Sequence, residues 1–339
     1  MAKRVVLAVA GSGKTSTIID QLNAESRTLI VTYTTNNYFN IKKKIEEKFN
    51  YFPKNIRLYT YFTFLHSFCY KPFLYFDLRT KGILYEPCQN RNARGIRRYI
   101  SSSRRLYSNR IARLLQERNV LDNVVARLSE YFDLILFDEI QDFAGHDFNF
   151  LKSVVRADAD TLFVGDYFQH TFDTSRDGNV NINLHSSLER YMSELGNMGL
   201  EIDTETLSNS YRCSSTICGF VTDNLEINIG SHREEGTDIQ VVDDQGRADE
   251  IFQDDDIVKL FYNNSAKYEC RSRNWGDCKG EDHYGSVCIV LNQTTQKKFD
   301  GKDLASLNPM TKNKFYVALT RTRDNLYLVS DQMYRKYKK

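Results

Sequence analysis

The sequence predicts an α/β fold of two domains with parallel sheets, and three observations carry that prediction. The chain has 339 residues, enough to bury two cores of ordinary size. Short apolar runs alternate with helix-like segments, the rhythm of strand, crossover and parallel strand. Two later runs end in acidic residues or glycine, at the strand edge where open parallel sheets bind ligands. With 41% hydrophobic and 27% charged residues, the composition is that of a folded globular chain, which excludes a disordered or fibrous one.

Taken in order, residues 4 to 9 read as a strand, Gly11 to Thr15 as a turn and Ser16 to Leu22 as a helix. A second strand at Thr28 to Thr32 precedes a helix from Asn40 to Phe49. Residues 71–130 break this rhythm with amphipathic helical patterns such as NRIARLLQERNVLDNVVARL, read as a small helical insertion in the first domain. Strands return in FDLILF at 132–137 and TLFVG at 161–165. The first domain is expected to span 1–200 and a second α/β domain 201–339, with strands SVCIVL and NLYLVS around the helical NKFYVALTR.

The net charge of +2 hides an uneven layout: Arg91 to Arg118 holds nine arginines and one acid, Glu117, a composition suited to backbone phosphates. The seven cysteines form no CxxC pair, and Cys270, Cys278 and His283 fit no standard zinc spacing. No apolar run approaches the roughly 20 residues of a membrane helix. MAKR leads straight into a strand without a secretory pattern. The expected location is therefore cytoplasmic, with no membrane partner.

The loop AVAGSGKT, residues 8–15, fits the phosphate-binding pattern GxxxxGK[ST] with alanine in place of the first glycine. Residues Ala10, Gly11, Ser12, Gly13, Lys14, Thr15 and Ser16 are the candidate nucleotide contacts. Backbone amides hold phosphates, Lys14 reaches the β and γ oxygens, and Thr15 takes Mg²⁺. LILFDEIQDF supplies the other half of such a site, with Asp138 on the metal and Glu139 polarising the attacking water.

The order of motifs resembles the superfamily 1 DNA helicases of the UvrD/Rep type over nearly the whole chain. The resemblance implies two RecA-like P-loop domains, with ATP and Mg²⁺ as cofactors. DEIQD at 138–142 resembles the DExQD box and implies that Gln141 senses the γ-phosphate. VGDYFQHTF implies that Gln169 couples the phosphate to the track. LSNSYRC implies Tyr211 stacking on adenine and Arg212 as an arginine finger, and KFYVALTRTR implies Arg321 as the second. CKGEDHYGSVCIVL resembles a KGLE-type motif through Lys279 and Gly280, with Asp282 replacing the glutamate. TYTTNN and TFLHSF resemble the motifs that hold single-stranded DNA. They nominate Tyr33 for base stacking and Thr32, Thr34, Thr63 and His66 for phosphates.

The chain departs from the pattern in three places. Only seven residues precede Ala8, where the family carries a glutamine motif that reads adenine. TFDTSRDG puts Thr174 and Ser175 where the family has an aromatic residue and an arginine, leaving Phe172 and Arg176 as replacements. The interval from Cys213 to Lys279 is too short for the large helical subdomain of long family members. The resulting expectation is an ATP-dependent helicase or translocase on single-stranded DNA or DNA junctions, moving 3′ to 5′. The alternative is a nucleotide-gated switch that controls a partner such as a nuclease. A small-molecule kinase leaves Tyr211, Arg212 and the VALTR segment without a role. The oligomeric state has no signature in the sequence.

Overall fold

The computed structural model describes residues 2–88, 90, 92–174 and 178–339. Its strands are β1 (Lys3–Leu7), β2 (Thr28–Thr32), β3 (Ile56–Thr60), β4 (Ile83–Leu84), β5 (Leu106–Tyr107), β6 (Leu134–Asp138), β7 (Asp160–Gly165) and β8 (Glu201–Asp203) in the first part of the chain. They continue as β9 (Asn209–Ser214), β10 (Gly230–Arg233), β11 (Ile239–Val242), β12 (Val258–Phe261), β13 (Ser272–Asn274), β14 (Val287–Leu291) and β15 (Leu326–Ser330). The chain divides into two compact units, Met1–Val6 with Thr15–Gly165 and Phe172–Asp203, and Leu7–Lys14 with Asp166–Thr171 and Thr204–Lys339.

Among the described residues of the first unit, six strands form one sheet in the order β3-β2-β6-β7-β1-β8. The pairs β2 with β3, β2 with β6, β6 with β7 and β1 with β8 are all parallel. Strand β2 is buried along its whole length, as a strand covered on both faces must be, which is why it reads as a continuous apolar run. Because β6 and β7 run the same way, the ends that carry Asp138 and Gly165 lie at one edge of the sheet.

Local chemistry moves several boundaries. β1 ends at Leu7 rather than Val9 because the Val9 amide leaves the sheet to donate to the Leu207 carbonyl at 2.9 Å. The helix expected from Asn40 starts at Thr35, where Thr34 caps it by accepting the Asn37 amide at 3.1 Å. Residues Tyr61–Phe64 and Lys71–Leu78 are joined by a π-helical turn, Leu65–Tyr70, in which the Lys71 amide donates to the His66 carbonyl five residues back. Pro72 has no amide to continue an α-helical ladder, so the register resets just before it.

The insertion is helical only at its ends, in Lys71–Leu78, Ile111–Glu117 and Leu121–Tyr131. Its middle is irregular, holding the two-stranded β4–β5 pair and a 3₁₀ turn at Gly95–Arg98. Arginines there recur without the apolar spacing that would give a helix a buried face. Arg91 lies outside the described residues.

In the second unit, five strands form a parallel sheet in the order β11-β15-β14-β12-β13, and β9 pairs with β10. Its core joins Ile217 and Val221 of helix Ser215–Leu225, Phe315 and Leu319 of helix Pro309–Leu319, and Trp275. No helix among the described residues is long and apolar enough to cross a membrane.

The first unit also buries a carboxylic acid. Asp147 is fully enclosed in helix Gly145–Val154 and accepts the Tyr61 hydroxyl at 2.9 Å. Burial pushes its carboxyl up to about 7, against the opposing pull of the Thr174 and Tyr61 hydroxyls. An unfolded aspartate titrates near 3.9, so between about pH 4 and pH 7 the folded chain holds a proton that the unfolded chain has lost. The resulting stability is complete below about pH 4 and is lost as the pH rises through 7. Asp147→Asn is therefore expected to raise the melting temperature at pH 8 and to change it little at pH 4. The gain at pH 8 is on the order of 2–4 kcal/mol. Equal effects at both pH values would show that the carboxyl is not held protonated.

Candidate functional site

The glycine loop packs within the second unit. Gly11 sits at φ 72° and Gly13 at φ 93°, a region open to glycine. A Cβ on Gly11 would stand 2.7 Å from both Arg212 Cβ and Ser210 Oγ, so glycine is required there by space as well as by conformation. The Gly11 carbonyl accepts the Tyr211 amide at 2.9 Å, and the Ser12 hydroxyl donates to the Val9 carbonyl at 2.8 Å. The Ala10 amide, nominated by sequence for the nucleotide, instead donates to the Tyr316 hydroxyl at 2.9 Å.

That hydroxyl continues a line of hydrogen bonds. Tyr316 donates to Asp166 Oδ2 at 3.2 Å, and the same oxygen accepts the Gln169 side-chain amide at 2.7 Å. Asp166 also caps the short turn Tyr167–Gln169 by accepting the Phe168 amide at 3.1 Å. Gln169 is thus buried with its amide held in one direction. Tyr316 is fully buried, and burial together with the nearby Asp166 charge holds its phenol well above the usual range, so it stays a neutral donor. Tyr316 and Asp166 lie within the KFYVALTRTR and VGDYFQHTF segments, whose pattern gives neither of them a role.

Arginines converge in the same unit. Arg212 pairs with the exposed Asp282 carboxylate and donates to the Thr320 carbonyl at 3.1 Å. Burial lowers its guanidinium to about 10, and the neighbouring Arg321 charge adds to the effect. Arg321 is itself buried, donating to the carbonyls of Val317 at 3.2 Å and Glu281 at 3.0 Å. Gly280 is exposed at φ 83°. Tyr211 is 63% exposed and stacks on His232 with ring centroids 4.1 Å apart and planes 19° from parallel. A Cβ on Gly13 would meet the Tyr211 ring at 3.8 Å, so the aromatic pair flanks the loop. No sequence motif signals His232.

In the first unit, the acidic strand end is strained and tightly held. Asp138 accepts the Thr32 hydroxyl at 3.3 Å. Glu139 adopts φ 57°, ψ 41°, a left-handed conformation that a glutamate takes only where its surroundings enforce it. Its carboxylate accepts the Asn37 side-chain amide at 3.3 Å and the Gln141 amide, so both flanking residues aim it. Gly165 lets this turn close, since a Cβ there would lie 2.5 Å from Gln141 Oε1. Thr15 is half-buried in helix Lys14–Asp20, and Ser16 accepts Lys44 Nζ at 3.3 Å.

The residues nominated for DNA separate into two kinds. Thr32 is fully buried with its hydroxyl given to Asp138, so it presents no surface to a strand. Thr34 caps its helix, and Thr63 is exposed, accepting the Thr60 hydroxyl at 2.8 Å. His66 stacks on Tyr70 at 5.7 Å, and burial, then the Lys71 charge, lower its imidazole below the usual value. Tyr33 is half-buried between Phe62 and Phe172. Phe172, named with Arg176 as a replacement contact, packs on Tyr33, while Ser175 and Arg176 lie outside the described residues.

No family profile and no curated protein matches the chain. Among solved structures, it resembles the Arterivirus nonstructural protein 10 helicase in complex with DNA. That likeness has TM-score 0.52 and 13% identity, over 98% of this chain and 62% of the other. The crystal structure of Arterivirus nonstructural protein 10 (helicase) matches with TM-score 0.51 and 13% identity, over 98% and 61%. The chain thus has a helicase fold along nearly its whole length and spans about three fifths of the helicases it matches.

Removing the Tyr316 hydroxyl tests the central line of hydrogen bonds. Tyr316→Phe leaves the Ala10 amide without its acceptor and takes one donor from Asp166, a loss of about 1–3 kcal/mol. The expected result is a melting temperature lower by several degrees. An unchanged melting temperature would show that the hydroxyl does not order the loop.

Proposed function

We propose that the chain is a nucleic-acid-dependent ATPase that travels along single-stranded DNA, a compact superfamily 1 helicase of the UvrD/Rep type moving 3′ to 5′. The observation that carries this reading is the line from the Ala10 amide through Tyr316 and Asp166 to Gln169. It fixes the glycine loop and the phosphate-to-track residue to one side chain, as coupled hydrolysis requires. The fold shared with a helicase solved with DNA supports a nucleic-acid track.

The assigned chemistry follows from the residue types. The loop amides after Ala10 and the Lys14 ammonium take the β and γ oxygens. The Thr15 hydroxyl and Asp138 carboxylate are hard oxygen donors, the set that suits Mg²⁺. When bound, Mg²⁺ neutralises charge on the phosphates. Glu139, aimed by Asn37 and Gln141, accepts a proton from water as its oxygen attacks the γ-phosphorus and the bond to the β–γ bridging oxygen breaks. Arg212 and Arg321 offset charge on the transferring group. Tyr211 carries the base by stacking, Asp282 is tied to the nucleotide through its pair with Arg212, and Gly280 is assigned by its place in the KGLE-type motif.

A second reading, a nucleotide-gated switch controlling a partner such as a nuclease, is favoured by one feature. The stretch from Cys213 to Lys279 is occupied by strands β10 to β13 and two helices, Ser215–Leu225 and Gln245–Gln253.

Steady-state ATP hydrolysis with and without oligothymidylate tests the first reading. The expected result is stimulation of about tenfold or more, reduced at least 100-fold in Glu139→Gln. Mutant-sensitive hydrolysis indifferent to DNA would sink the translocase and leave the switch. ATP-driven displacement of streptavidin from a biotinylated strand end would refute the switch.

A further inference from the structure

Four aromatic rings of the first unit touch in series. Phe172 meets Tyr33 at 5.3 Å, Tyr33 meets Phe62 at 5.7 Å, and Phe62 meets Tyr85 at 6.0 Å. They come from four separate segments: the stretch after Gln169, the end of β2, the turn after β3, and the inserted stretch just after β4. Rings assembled only for packing are covered by the elements that carry them. This row instead runs outward, from three half-buried rings to Tyr85, which is 65% exposed.

The occupant is indicated by the charge of the insertion, where Leu84 and Glu86, on either side of Tyr85, line one pocket with Arg97 and Arg104. Tyr85 lies in the insertion that carries nine arginines and one acid between Arg91 and Arg118. Arg94, Arg97 and Arg105 are exposed. The exposed Glu86 is the acid beside Tyr85 in sequence. Aromatic rings in a basic setting match single-stranded nucleic acid: every base offers a π-face whatever its identity, and the phosphates take the guanidinium charge. A protein partner would be met by apolar side chains in a less charged patch.

We propose that Phe172, Tyr33, Phe62 and Tyr85 form one row of base-stacking rings, with Tyr85 as an outer subsite on the insertion that takes a base of the single strand. This rests on the reading of the chain as a nucleic-acid-dependent ATPase and extends its track beyond Tyr33. The insertion is then part of the strand-binding surface, and Phe62 is the ring that links it to the sheet edge.

The test is fluorescence anisotropy of a labelled oligothymidylate with the full chain and its Tyr85→Ala, Tyr85→Trp and Tyr33→Ala variants, with melting temperatures for each. Tyr85→Ala is expected to weaken binding about 5- to 100-fold, and Tyr85→Trp to restore it, with melting temperatures unchanged. Unchanged binding in Tyr85→Ala beside weakened binding in Tyr33→Ala would end the row at Phe62 and overturn the subsite, leaving the functional reading intact. Loss of both binding and melting temperature in Tyr85→Ala and Tyr85→Trp alike would make Tyr85 a packing residue and also overturn it. Failure of the unaltered chain to bind the oligonucleotide at all would overturn the functional reading itself.

Discussion

A buried phenol must find partners for its hydroxyl, and in this chain Tyr316 finds two that organise the second unit. It accepts the Ala10 amide and donates to Asp166, so one oxygen fixes both the loop and the turn that carries Gln169. The helix supplies a second grip one turn earlier, where Asn313 donates to the His170 carbonyl at 3.0 Å. Residues three apart share a helix face, so Asn313 and Tyr316 hold the two ends of the Asp166–His170 segment together. Everything then depends on the register of helix Pro309–Leu319. Asn308 sets that register by accepting the Thr311 amide at 2.9 Å, with Pro309 at the first helical position.

The first unit solves a different problem, aiming a carboxylate at the end of a strand. Glu139 is held with positive φ although glutamate gains nothing locally from that conformation. The cost is met by neighbours: Asn37 and Gln141 donate to its oxygens, and the absent side chain of Gly165 leaves room for Gln141. Asp138, one residue earlier, takes the Thr32 hydroxyl from the adjacent strand. Two consecutive acids thus have different hydrogen-bond partners, the Thr32 hydroxyl for Asp138 and two side-chain amides for Glu139.

Much of this was legible in the sequence because it is local. The glycine loop, the apolar strands that end in Asp138 and Gly165, and the arginines of the second unit each announce themselves within a few residues. What was not legible depends on partners distant in the chain. Thr32 reads as a strand-contact residue until β2 is seen beside β6, which turns its hydroxyl inward to Asp138. Tyr316 reads as one more core aromatic until its oxygen is seen against Ala10, 306 residues away. His232 carries no motif, and its place against Tyr211 follows from the pairing of β10 with β9. The helical pattern of the insertion belongs to its flanks, and no apolar period in its middle supports a helix there.

The two arginines are not simply a stable arrangement of charge. Arg212 is buried beside another guanidinium, and both burial and that neighbour act against its own positive charge. Its ion-pair partner, Asp282, is mostly exposed, so water screens much of what the pair contributes. The carbonyls of Thr320, Val317 and Glu281 orient the two guanidiniums without neutralising them. Such an arrangement is costly until an anion with more than one negative charge arrives. A multiply charged anion would gain two preorganised donors whose mutual repulsion it relieves, so the positive charge that burdens the folded chain would favour such a ligand.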